Sequence, residues 1–249
     1  MGEKLKSQPL VEALCEFQFE LTGGNELTLP GLFYAAVRDE FPVQTSIIDE
    51  ASFQIAASEI GGMRQFIKSQ RLQLKRQDDS AMLQIGQNRL IVNQLQPYES
   101  WDKFRVMISE AFIKYAELCG EFTLKRVGLR YINHIKPAEV EGFSIDDFLI
   151  ILPLFPKPLD KSIGGFQQTY EFSYMVPPAS LVHRTGVVEK SDGETVLALD
   201  IDFVSRETVN LNSKEATLKW LCEWLDQAHN HIEDAFISSL NPNYYESLK

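Results

Sequence analysis

The chain has 249 residues, 44% of them hydrophobic and 11% aromatic, which is ample for a packed core and too apolar for a disordered protein. Its 24 basic and 35 acidic residues give a net charge of −11. That balance speaks against general nucleic-acid binding, which needs a basic footprint, and against docking on anionic lipid.

Residues 1–8 form a polar tail without an apolar signal core. From Leu10 to Glu20 the chain alternates: Val11, Ala13, Cys15, Phe17 and Phe19 face one way, Glu12, Glu16, Gln18 and Glu20 the other, which predicts a strand. After Gly23-Gly24, Leu32, Phe33, Ala36 and Val37 give an apolar stripe and predict a helix over Leu29 to Phe41. Strands are expected at about 45–57 and 63–68. A meander follows, Leu72–Gln77, Met82–Ile85 and Leu90–Leu95, with turns at Asp78-Asp79-Ser80 and Gly86-Gln87-Asn88. A helix opens at Pro97 to Glu99 and runs through Cys119, with Phe104, Ile108, Phe112 and Tyr115 on one side and Gly120 as its cap.

The next segment, Lys125 to Ile135, predicts a strand with Arg126, Arg130 and His134 on one face. Val127, Leu129, Tyr131 and Ile135 take the other, so a core-facing row backs a cationic stripe whose members stand roughly 13 Å apart. Composition shifts at Lys136–Gly142, and in Leu152–Pro158 the prolines at 153, 156 and 158 exclude regular helix and central strand. Phe166–Val176 predicts a strand with Phe166, Tyr170, Phe172 and Tyr174 on one face, read first as core and otherwise as an interaction face. Leu181–Glu189 and Thr195–Val204 predict a hairpin across Ser191-Asp192-Gly193. A long helix runs from Lys214 to Leu240, capped by Asn212 or Ser213.

The expected fold is α+β: antiparallel sheets closed by helices, in a first half over 9–137 and a second over 138–249, the long C-terminal helix packing on the second sheet. The two halves, which could equally be one continuous domain, show no visible homology. No run of residues approaches the ~18 apolar positions of a membrane span. Three scattered cysteines, Cys15, Cys119 and Cys222, read as reduced thiols, which with the polar start predicts a cytoplasmic location.

Several residues are candidates for chemistry. Arg126, Arg130, His134 and Asn133 form a candidate anion or partner site, because guanidinium forks suit carboxylate and phosphate. Glu12 and Glu16 are candidate acidic partners at matching i, i+4 spacing, and would make a ladder if their strand adjoins that of Arg126. Asp200 and Asp202, two residues apart on one strand face, suit an ion pair with Arg130 or Arg184, acid–base work or a hard cation. Trp220 and Trp224 sit one helical turn apart and offer either deep packing or an interaction face. The histidines do not converge, no nucleophile elbow is present, and His229 lies on an apolar stripe as a core histidine. Neither a metal nor a cofactor is expected.

The segments Pro9-Leu10-Val11-Glu12-Ala13-Leu14, Arg126-Val127-Gly128-Leu129-Arg130-Tyr131-Ile132-Asn133 and the terminal His229 and Phe236 resemble a sporadically distributed bacterial and archaeal family of chains of this length. That family has no established activity. The resemblance points to Glu12, Arg126, Arg130 and Asn133, and its scattered distribution implies a defence or toxin-neutralising role. In shape alone the chain is similar to export-type chaperones, which implies an acidic chaperone-like protein. The expectation is a non-enzymatic cytoplasmic protein-binding module, its partner a basic toxin or another product of the same operon. The alternative is an enzyme or small-anion binder built on the arginine stripe. Homo-oligomerisation is left open.

Overall fold

The computed structural model describes residues 5, 7–22, 28–55, 64–86, 88–136, 145–150, 165–189, 195–209 and 214–249, and of these the side chains outside 44–70, 195 and 214. The expected turns at Gly23-Gly24 and Ser191-Asp192-Gly193, the proline-rich stretch and the Asn212 or Ser213 cap lie outside the described residues.

The described strands are β1 (Leu10–Leu21), β2 (Val43–Ile55), β3 (Arg64–Lys75), β4 (Ala81–Gly86), β5 (Arg89–Leu95), β6 (Phe122–Ile135), β7 (Gln167–Met175), β8 (Pro178–Glu189) and β9 (Thr195–Ser205). They form one nine-stranded sheet in the order β2-β3-β4-β5-β1-β6-β9-β8-β7, and every pairing is antiparallel. The helices are α1 (Leu29–Val37), α2 (Trp101–Cys119), α3 (Lys214–Ser239) and α4 (Pro242–Leu248). The fold is α+β, as its sequence pattern predicts.

The sheet runs without a break across residue 138. β1 pairs with β6, and β6 pairs with β9, so both expected halves contribute strands to a single layer. The two stretches repeat one topology. Each begins with a strand, continues through a connection holding a short helix (α1, or the 3-10 turn Ile145–Asp147), adds a meander, and ends in a long helix. In each, the last meander strand returns antiparallel to the first. The two opening strands then pair with each other at the centre. The result is an approximate two-fold arrangement that residue identities do not reveal.

Alternation decides which face is covered. Ala13, Cys15, Phe17 and Phe19 of β1, Val127, Leu129 and Tyr131 of β6, and Leu197, Leu199, Ile201 and Phe203 of β9 are buried together with the helices. α2 lies over β5 and α3 over β6 and β9. Phe112 of α2 meets Phe17 at 5.1 Å, Tyr115 stacks on Phe19 at 4.3 Å, and Trp224 of α3 packs on Phe203 at 5.8 Å. Ser100 caps α2 by accepting from the Lys103 amide. Beyond the end of α2, Gly120 adopts φ +69°, a left-handed conformation that suits glycine. α1 ends at Val37, short of the expected Phe41, but Phe41 still accepts burial in the core.

β7 is the outer strand beside β8, in unbroken register from Gln167–Gly186 to Met175–Pro178. Its start requires Gly186: a Cβ there would stand 2.7 Å from the Phe166 carbonyl oxygen, which accepts from the Val187 amide. Gly186→Ala should therefore push the start of β7 off β8 and cost about 1–3 kcal/mol, read as a lower urea midpoint with faster amide exchange confined to β7.

Candidate functional site

The face of the sheet away from the helices carries the charged stripe. β1 adjoins β6, so the carboxylates of one and the guanidinium groups of the other are neighbours. Glu16 accepts from Arg126 Nη1 at 2.5 Å and from Gln18 Nε2 at 2.7 Å. Arg130 reaches the other way, to β9, donating from Nε and Nη2 to the two oxygens of Asp200 at 2.7 and 2.6 Å. This fork on a carboxylate is the geometry that suits guanidinium. Arg184, on β8, donates to Asp200 at 3.4 Å and stands 4.0 Å from Asp202, as Arg126 does from the other side.

The stripe continues past the charges. Glu12 accepts from Asn93 Nδ2 at 2.6 Å, and Asn93 Oδ1 accepts from Gln84 Nε2 at 3.1 Å. A polar band thus crosses β4, β5, β1, β6, β9 and β8. Its charged members are three guanidinium groups and four carboxylates, so the cations that stand out in sequence are balanced inside the protein. Asp200 and Asp202 are each only 9% exposed. Burial raises the Asp202 carboxyl above its ordinary range, against the pull of the surrounding arginines, while the Asp200 hydrogen bonds strengthen the hold of Arg130 on its proton.

The remaining candidates do not join this band. Asn133 points to the opposite face, where it is buried and donates to the Leu199 carbonyl at 3.2 Å. Its offsets, three residues from Arg130 and one from His134, are both odd, and the period of a strand sends it to the core side. His134 lies at the end of the stripe, and its backbone amide donates to Pro9 at 2.8 Å. Trp224 is 3% exposed and belongs to the core, while Trp220 is half-buried and stacks beside it at 6.1 Å. Among the described residues, no group of three or more His, Cys, Asp or Glu is placed to hold a metal ion.

Arg184 meets Asp200 as its expected ion-pair partner, whereas Asn93 and Gln84 are the members that sequence reading missed. Their signal is a polar residue inside an otherwise apolar strand run, as in Met82–Ile85 and Leu90–Leu95. A second polar cluster lies under the helices. Tyr98 and Tyr131 share a hydroxyl contact of 3.1 Å, Tyr131 meets His229 Nδ1 at 3.0 Å, and His229 stacks flat on Trp101 at 4.4 Å. Trp101 Nε1 and Arg105 both donate to Asp226 of α3, at 2.9 and 2.8 Å. These contacts tie α2, α3 and β6 together, and they account for His229 as a satisfied histidine of the interior.

Compared with known proteins, the chain matches no protein-family model and no curated protein.

Two outcomes follow from this geometry. Asp200→Ala takes the nearest carboxylate from both Arg130 and Arg184 and should cost about 1–3 kcal/mol in urea titrations. Glu20→Ala, which breaks the exposed Glu20–Lys125 pair, should change the same midpoint by under about 0.5 kcal/mol. The second concerns pH. Burial holds His183 and His229 below the ordinary imidazole range, His229 at about 4. The unfolded chain takes up those protons near pH 6.5 and the folded chain resists them, so stability is full above about 6.5 and falls as pH drops towards 4. Asp202, raised by burial, protonates more readily in the folded chain and offsets part of that loss at the acid end. The melting temperature should fall between pH 7 and pH 4.5, with His229 contributing at most about 3 kcal/mol, and His229→Gln should flatten the profile.

Proposed function

We propose that this protein is a non-enzymatic, cytoplasmic binding protein that engages another polypeptide. The observation that carries the reading is a division of labour between its surfaces. The arginine stripe is neutralised within the sheet, each guanidinium meeting a carboxylate of a neighbouring strand. Of the nine large apolar residues exposed among the described ones, four lie together at one end of the sheet: Tyr170, Phe172, Met175 and Val176, on and just beyond β7. Groups of that kind at a sheet edge suit contact with protein.

Charge supports a basic partner. A net charge of −11 raises the encounter rate with a cationic surface and lowers it with an acidic one. A toxin neutralised by this chain, or another product of the same operon, fits that description.

The reading has a direct test. Tagged full-length protein, recovered from its native cell at moderate salt, should retain one protein at near-equal stoichiometry. The two purified components should rebind, with an association rate that falls as salt rises. A protein that emerges alone, together with a small anion that raises its melting temperature and loses that effect in Arg130→Ala, would replace this reading with an anion site on the stripe.

A further inference from the structure

Resting on that reading, we propose that β7 is the docking edge and that its occupant is an extended segment of the partner in which apolar side chains alternate with lysine or arginine.

An edge strand leaves every second backbone N–H and C=O unpaired and recruits another strand unless something prevents it. The usual preventives are proline, lysine, a bulge or an inward-pointing charge. β7 has none of these. Its nine residues, Gln167–Met175, contain no proline and no basic residue, and their register with β8 is regular throughout. Its single charge is Glu171 at the middle, and the Arg206 guanidinium lies against its C-terminal end, donating to Ser173 Oγ at 3.4 Å and to the Tyr174 carbonyl. Among the described residues, β7 pairs with β8 alone.

The two faces of β7 define what can be added. Tyr170, Phe172 and Tyr174 share the helix side, opposite His183, Leu181 and Ala179 of β8. Tyr174 is covered there by Phe203 at 5.2 Å and His231 at 4.6 Å. Among the described residues the cover stops at that point: Phe172 is 51% and Tyr170 44% exposed, their rings 6.4 Å apart. A tenth strand with apolar residues on this side would extend the core over both rings. On the other side Thr169, Glu171 and Ser173 are polar, and a cation opposite Glu171 would complete the pair.

Charge selects this occupant over a second copy of the chain. Fully overlapped antiparallel self-pairing of β7 would set Glu171 against its own counterpart, between two bodies that each carry a net charge of −11. Like charges directly opposed across strands are destabilising. A cationic alternating segment reverses both terms.

The probe is a fluorescein-labelled peptide of about ten residues, a strand's length, alternating lysine and valine. Titrated with full-length protein and followed by anisotropy at about 0.15 M salt, it should bind saturably, and the alternating glutamate and valine peptide should not. Phe172→Ser and Glu171→Lys should each weaken binding at least about tenfold, or 1.4 kcal/mol. Both sites are exposed, so their melting curves should match the wild type. Glu117→Lys, the same charge change on the exposed side of α2, should leave affinity within about twofold.

Three results overturn the proposal: no saturable binding, equal losses in Glu171→Lys and Glu117→Lys, or unchanged binding in Phe172→Ser. A concentration-dependent dimer in sedimentation, dissolved by Phe172→Ser, would also overturn it and give the edge to a second copy. A reconstituted partner that binds Phe172→Ser as well as wild type sinks the edge alone. The absence of any partner sinks the wider reading.

Discussion

The antiparallel pairing of β1 with β6 is the contact on which the rest of the structure depends. It joins two stretches of chain that would otherwise each present an open first strand, and it runs from Leu10–Asn133 to Leu21–Phe122. A one-residue slip along it would exchange the faces of every residue in β1. Phe17 and Cys15 would leave the helix side, and Glu12 and Glu16 would enter it. Burial of the apolar row under α2 and α3 therefore fixes the register from one side. The Glu16–Arg126 pair and the Asn93–Glu12 hydrogen bond fix it from the other.

That second function explains a costly feature. Ion pairs this enclosed are weak evidence for stability, because desolvation cancels much of the attraction. Asp202 shows the expense, since its carboxyl is raised although three arginines lie near it. Removing one partner still does harm, because the charges left behind have lost their compensation. The band across six strands is best understood as a specificity device: only one alignment of β5, β1, β6, β9 and β8 brings each carboxylate to a donor. The aromatic core beneath, packed through Phe17, Phe19, Phe112 and Tyr115, tolerates small shifts far better than a guanidinium fork does.

Much of this was legible in the residues. Alternation placed β1, β6 and β9 and divided their faces correctly except at the start of β1, where a register shift between Leu10 and Glu12 brings Leu10 into the core. The period of Phe104, Ile108, Phe112 and Tyr115 placed α2. The ion pairs among Glu16, Arg126, Arg130 and Asp200 follow from spacing once two strands are known to touch. Sequence could not supply that adjacency, because β1 and β6 are separated by the whole first meander and α2. The same gap hid the role of Trp224, whose burial depends on Phe203 across the layer. The aromatic row of β7 misled for a related reason. Phe166, Tyr170, Phe172 and Tyr174 have the pattern of a core strand, yet Tyr170 and Phe172 lie beyond the reach of α3. Periodicity reports which side chains share a face and carries no information on whether another layer covers it.

The acidic balance and the open edge then make sense together. A long apolar edge strand endangers the protein that carries it, because identical edges pair without limit. β7 itself carries no lysine, proline or bulge, and, with β7 as the proposed docking edge, its protection comes from the net charge of the whole molecule. Repulsion between like bodies acts over a Debye length, about 8 Å in physiological salt, and so opposes approach before backbone hydrogen bonds can form. It opposes copies of the chain and other acidic proteins, and it assists a cationic segment. A local blocker such as a lysine within β7 would refuse every strand alike. Placing the safeguard in the total charge keeps the edge usable and makes its use selective.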